Sequence, residues 1–280
     1  MIEEILPATV ASAETFTDPS DAALFPQEAA IVERASDKRR REFTAGRECA
    51  RIALGKLGVA PAPILIGERG APQWPPGTVG SITHCDGYRA AAVAHASEVA
   101  AIGLDAEPHD ALPRGVLDVI SLPAERARLA VLAGEWPAVR WDRLLFSVKE
   151  SVYKAWFPLT GRWLGFEHAD VTITPDGTFT ARLLTEAQPP NASFDGRWLA
   201  RGGLVLTAIA MMSAQTIPPV RGSSARSLWR RRARRPRSGC RCARRCRAGR
   251  EPRHVQPAVP DRQLGLADVV RGEPAQRGQV

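Results

Sequence analysis

No stretch of this 280-residue chain offers the roughly 18 consecutive apolar residues that a membrane-spanning helix needs. Cysteine is scarce too. Of five, only Cys49 and Cys85 lie before residue 218, and their isolation argues against a disulfide framework and fits a reducing compartment. The opening residues Met1-Ile2-Glu3-Glu4 are acidic where a secretory signal peptide is basic. These absences set the expectation of a cytoplasmic protein that makes no use of a membrane. Lysine is missing altogether from residues 219–280, which hold 17 Arg.

That last absence explains the formal net charge of +8, which at first sight invites a nucleic-acid partner. Residues 1–218 carry 21 Lys and Arg against 26 Asp and Glu, net −5, while residues 219–280 carry 4 acids against their 17 Arg, net +13. The basicity therefore belongs to a tail. The tail has no apolar periodicity and cannot bury enough surface to offset the entropy of ordering it, so it is expected to be disordered. Arginine without lysine also suggests sequence read in an altered frame, which resequencing would test. Apart from Trp229 the tail lacks interleaved aromatics, so specific nucleic-acid recognition is not expected of it. Cys240, Cys242, Cys246 and His254 lack the paired spacing of a zinc site.

The chain as a whole is 44% hydrophobic and can bury one sizeable core or two small ones. Residues 26–58 read as helix, with Phe43, Ala50, Ala53, Leu54 and Leu57 at helical spacing and a basic group of Lys38, Arg39, Arg40, Arg41, Arg47 and Arg51 opposite. Pro and Gly from 61 to 76 mark loops around Ile64-Leu65-Ile66. Strands are expected over 79–83, 88–96 and 99–105, the last two as an antiparallel hairpin turning at Ser97-Glu98. Further helices are expected near 123–133 and 139–157, and strands near 168–174, 178–184 and 197–210. The expectation is an α+β protein of two similar halves, 1–110 and 111–218, followed by the Arg-rich tail 219–280, with a site in the cleft between the halves.

Two groups of residues could carry chemistry. In Ile102-Gly103-Leu104-Asp105-Ala106-Glu107-Pro108, strand geometry places Asp105 and Glu107 on one face, about 6.6–7 Å apart at Cα. They could share a hard cation such as magnesium, or be two solvated carboxylates at a strand end. In the helix Trp141 to Trp156, Trp141, Leu144, Leu145, Val148, Val152 and Trp156 form the buried stripe, and Arg143, Ser147, Glu150 and Lys154 form a second. Glu150 and Lys154, four residues apart, read equally as a surface ion pair worth about 0.3–0.5 kcal/mol.

Taken together, the two groups resemble a family. Gly103-Leu104-Asp105-Ala106-Glu107 resembles the G-[IV]-D-x-E signature of the 4′-phosphopantetheinyl transferases, with Leu104 in place of Ile or Val, and Phe146 to Lys154 resembles their [FWS]-x-x-K-E-[SA]-x-x-K signature. Lys38 to Phe43, Gly80-Ser81-Ile82-Thr83-His84-Cys85 and Tyr153 to Thr160 are similar to actinobacterial members of the surfactin-synthetase-activating and enterobactin-synthase component D type. The resemblance spans about residues 5–212 and implies a pseudo-dimer fold, acting as a monomer.

It further implies an activity: transfer of the 4′-phosphopantetheine arm of coenzyme A to a serine of an apo acyl or peptidyl carrier protein, releasing adenosine 3′,5′-bisphosphate. The carriers would serve polyketide, nonribosomal-peptide (siderophores among them) or fatty-acid synthases. By the same resemblance Asp105, Glu107, Glu150 and the backbone carbonyl of Ala106 hold Mg2+, Glu150 acts as base, and Lys154 stabilises the diphosphate. Arg39, Arg47, Thr83 and His84 hold coenzyme A, and Leu164 borders its pantetheine arm. Arg69-Gly70-Ala71-Pro72 departs from the family's G-K-P loop, so Arg69 is expected to supply the charge. Two rival readings are a nucleic-acid-binding protein, which deletion of residues 219–280 would distinguish, and an inactive coenzyme A binder, which has no need of an acid and metal set.

Overall fold

A computed structural model describes residues 1–18, 23–185 and 193–213 of the chain. The Arg-rich segment expected from residue 219, with Trp229 and the Cys240 to His254 group, lies outside the described residues. Where one helix was expected over 26–58, two form: α1 (Pro26–Ile31) and α2 (Asp37–Lys56). Ser36 separates them. Its hydroxyl accepts the Arg39 amide at 3.3 Å and so restarts the helix as its N-cap. Around α2 lie β1 (Ala11–Thr15), β2 (Leu65–Ile66), β3 (Pro72–Gln73), β4 (Thr78–Cys85) and β5 (Tyr88–His95).

The expected pairing of residues 88–96 with 99–105 does not occur. β5 is the central strand of a three-stranded antiparallel sheet ordered β1-β5-β4. Both its edges are taken, so it has none left for β6 (Val99–Pro108). The hairpin that does form turns at Asp86-Gly87, where Gly87 supplies the positive φ (71°) a two-residue turn requires. β6 instead pairs along its length with β10 (Leu204–Met212), placing Asp105 opposite Thr207. It begins the five-stranded antiparallel sheet β6-β10-β9-β8-β7, with β7 Ala169–Thr174, β8 Thr178–Leu183 and β9 Ser193–Arg201. Sheet membership thus divides the chain between β5 and β6 rather than at residue 110. The strand expected over 197–210 is two strands turning at Gly202-Gly203.

Each half lays one twenty-residue helix across its sheet: α2 on β5 and β1, and α5 (Trp141–Thr160) on β6 and β10. The shorter α3 (Val116–Ile120) and α4 (Pro123–Glu135) flank α5. The halves meet where β4 runs alongside β6, with the Leu104 amide donating to Ser81 Oγ at 3.0 Å. β5 is buried on both faces. Ala91 and Val93 pack under α2, while Ala90, Ala92 and Ala94 join Ile102, Leu104 and Ala106 of β6 in the core between the sheets. The other face of β6 receives α5. A Cβ on Gly103 would run into the Ser151 carbonyl oxygen, so glycine here sets how closely the helix can lie. Among the described residues no helix is long and apolar enough to cross a membrane.

Candidate active site

The polar stripe of α5 faces the protein rather than solvent. Ser147 and Ser151 hydroxyls lie 2.9 and 2.5 Å from Thr207 Oγ1 on β10, all three residues fully buried. Arg143 is buried and donates through Nε to the Asp110 carbonyl (3.0 Å), and through its two other nitrogens to Glu107 Oε2 (3.1 Å) and the Ala111 carbonyl (3.1 Å). Lys154 reaches Asp105 Oδ1 at 2.8 Å. Its side chain is 24% exposed while Asp105 is fully buried, so this pair lies at the mouth of the site. Glu150 is half-buried on the same helix.

Asp105 and Glu107 therefore do share a face of β6, as alternation requires, and that face is covered by cations of α5. Ala106 points the other way, into the core between the sheets, and only its backbone lies on the strand edge. Among the described residues no three His, Cys, Asp or Glu side chains are gathered closely enough to hold a metal ion. Two carboxylates and a half-exposed third still suit magnesium, which keeps several waters and takes phosphate oxygens rather than a full set of protein ligands.

The basic group is carried by α2 and β4. Arg39 lies 2.8 Å from His84 Nε2. A guanidinium can only donate, so Nε2 accepts and the imidazole proton resides on Nδ1. Thr83, the preceding residue on β4, turns to the opposite face and places Oγ1 3.5 Å from Asp105 Oδ1. One peptide thus joins the arginine cluster to the carboxylate of β6.

Arg47 is buried, stacks on the Phe43 ring at 4.2 Å and donates to the Ile64 carbonyl at 2.8 Å. Burial, joined by the neighbouring charges of Arg39 and Arg51, presses its pKa down to about 10 against the opposing pull of Glu28. It stays cationic at neutral pH. Glu28, itself fully buried, holds Arg51 at 3.0 Å and the Ile64 amide at 2.8 Å. Arg47 and Arg51 flank the Glu28 carboxylate, Arg51 also meets Glu48 at 3.4 Å, and Arg39 stands apart at His84, where its charge suits an anion.

Arg69 occupies the turn between β2 and β3, in the left-handed region at φ 51°. Its guanidinium lies over the Trp163 ring at 5.1 Å, so it spans from the N-terminal half to the loop after α5. Trp163 in turn meets Tyr153 edge-on at 5.2 Å. Leu164 is buried in the C-terminal core with Trp156 and Leu145.

Three of these features carry no distinct signal in the linear order. Arg143 was one member of a polar stripe, Thr207 an unmarked strand residue, and the Arg69–Trp163 contact joins positions almost a hundred residues apart. Lys149 also stood only as a motif letter. It is buried, and desolvation lowers its pKa against the opposing pull of Glu125.

Residues 27–94 match the profile described as the 4′-phosphopantetheinyl transferase N-terminal domain, and residues 101–207 match that of the 4′-phosphopantetheinyl transferase superfamily. The junction between the two matches falls at the end of β5. The chain is 54% identical over 219 residues to 4′-phosphopantetheinyl transferase Svp of Streptomyces mobaraensis, covering 75% of this chain and 89% of that one. It is 51% identical over 224 residues to 4′-phosphopantetheinyl transferase PptT of Mycobacterium tuberculosis, covering 75% of this chain and 98% of the relative. Enterobactin synthase component D of Salmonella typhi is 30% identical over 181 residues, 64% of this chain and 75% of its own.

Proposed function

The chain belongs to the 4′-phosphopantetheinyl transferase superfamily and transfers the 4′-phosphopantetheine arm of coenzyme A to carrier proteins, and we propose that it does so with magnesium at the seam of β4, β6 and α5. The observation that carries this reading is the consecutive pair Thr83-His84. His84 meets Arg39 of the basic cluster, and Thr83 approaches Asp105 of the acidic one. A single strand thereby sets an anion-binding surface beside a carboxylate and a lysine, the neighbourhood a diphosphate needs on one side and its reacting phosphorus on the other. Arg39, Arg47 and His84 would hold the 3′-phosphate, for which guanidinium forks suit. Arg69 would reach the diphosphate from its turn, and Leu164 would back the pantetheine channel from within the core.

Asp105, Glu107, Glu150 and the Ala106 carbonyl would hold magnesium. Bound there, the ion supplies neutralisation of the charge that develops on the leaving phosphate. Lys154, at the mouth, adds a second positive charge to the same oxygens. Glu150, half-exposed, takes the proton of the carrier serine directly or through water. The reading has the enzyme acting as a cytoplasmic monomer on polyketide, nonribosomal-peptide or fatty-acid carriers. Incubating the full chain with an apo carrier protein, coenzyme A and magnesium should add one phosphopantetheine arm to the carrier by mass. A carrier left unchanged by folded, coenzyme A-binding protein sinks the reading, and near-normal turnover in EDTA sinks its metal.

A further inference from the structure

Lys149 precedes Glu150 in α5 but faces away from the site. Its ammonium donates to Glu125 Oε2 at 2.8 Å, to the Phe166 carbonyl at 2.8 Å and to the Ala169 carbonyl at 3.0 Å. An ammonium has three N–H donors, and all three are taken. Glu125 on α4 is equally engaged, accepting the Leu122 amide at 2.6 Å through Oε2 and the Val171 amide at 2.8 Å through Oε1. Both side chains are almost wholly buried, at 2% and 1% exposure. Lys149 thus has no donor left for a phosphate and no route to one.

A buried ion pair of this kind adds little stability over apolar residues of the same volume. What it adds is direction, since three acceptors fix the ammonium where a methyl group could slide. At 3.6 residues per turn, Glu150 lies about 100° around the helix from Lys149, and Ser147 and Ser151 lie about 160° from it on either side. The Ser147–Ser151–Thr207 hydroxyls clamp one face of α5 to the sheet. Lys149 clamps the nearly opposite face to α4 and β7. Glu150 emerges between the clamps. We infer that the Lys149–Glu125 pair is a positioning device for the transferase reaction: it fixes the roll of α5, and with it where the Glu150 carboxylate points. The inference rests on the site assignment above.

The test uses the full chain with an apo carrier, coenzyme A and magnesium, comparing wild type, Lys149→Met and the double variant Lys149→Met/Glu125→Leu. The single variant strands a buried carboxylate and should lose thermal stability. The double variant removes both charges and should regain part of the lost Tm, short of wild type because the Leu122 and Val171 amides and the Phe166 and Ala169 carbonyls lose their partners, yet keep a kcat about 10- to 100-fold down, the scale of a small misplacement of a catalytic group. Its KM for coenzyme A should stay within about twofold of wild type, because the ammonium touches no substrate. If kcat recovers together with Tm, the pair serves the fold alone and the inference falls. It also falls if KM for coenzyme A rises while kcat holds, since Lys149 would then be a binding residue. Glu125→Gln, which keeps volume and an acceptor, should show the same kcat-only loss and decides the matter should the double variant not fold. Wild-type protein unable to modify the carrier would overturn the transferase reading itself, whereas variant-only loss speaks to the positioning.

Discussion

The two twenty-residue helices lie on their sheets in different ways. α2 meets its sheet chiefly through small side chains, with Ala50 and Ala53 against Ala91 and Val93 of β5, and its charges are spread along the flank, Arg47 and Arg51 at Glu28 and Arg41 at Asp18. α5 is seated by polar pins: Arg143 to Glu107, Lys149 to Glu125, Lys154 to Asp105 and two serines to Thr207. Alanine packing tolerates small sliding, which would be enough for the anion-binding surface proposed above. Directional bonds do not, and a helix carrying a base must hold its orientation within narrow limits. The difference teaches that the two halves hold their helices by different means, mainly apolar contact in one and directional bonds in the other.

The contrast can be broken most severely at Asp105. Asp105→Asn keeps the volume and should keep the fold, yet lower kcat about 10³-fold, by analogy with loss of one preorganised charge stabiliser. A carrier-modification assay beside a circular dichroism melt separates the two effects. Gly103→Ala should come next. The new methyl group meets the Ser151 backbone, α5 must lift from β6, and stability should fall by about 3 kcal/mol, the upper range for overpacking. Chemical denaturation measures this, and an unchanged midpoint would show that α5 slides as freely as α2.

Arg39→Ala should act on the other helix and in the other parameter. Losing a charge-assisted contact should raise KM for coenzyme A about 10- to 100-fold with kcat nearly unchanged, since such bonds contribute about 1.5–3 kcal/mol. A fall in kcat instead would mean that α2 shares the chemistry. The smallest effect concerns the pins around α5. Burial raises the pKa of Asp170 on β7, but hydrogen bonds from Arg182 and Arg128 outweigh it and hold the carboxyl below its usual 3.8. The stability it contributes is present above 3.8 and lost as pH falls below that value. Asp170→Asn should therefore lower Tm by a few degrees at pH 7, and the gap from wild type should narrow progressively as pH falls below 3.8.

Much of the fold was legible because it rests on local signals. The long helices, the loops at 61–76 and most strands follow from periodicity and from Pro and Gly, as does the shared face of Asp105 and Glu107. The strand pairing was not. A run such as Tyr88–Ala96 shows that a strand exists, while its partner depends on which edges other segments fill. β1, some seventy-five residues earlier in the chain, took one edge of β5, and Asp86-Gly87 gave the other to β4.

The site divides in the same way. Sequence by itself determined which residue types are present and the family to which they belong, because motif spacing along one strand and one helix survives in the linear order. It also determined that the +8 charge belongs to the tail rather than to the site. Only the tertiary structure decided which carboxylate meets which cation. Glu150 and Lys154 read as a pair at helical spacing, but Lys154 turns to Asp105 because β6 brings a buried carboxylate within 2.8 Å. Burial decided the rest: Lys149 and Lys154 are the same residue type five positions apart on one helix, and desolvation closed one into a structural pin while leaving the other at the mouth of the site.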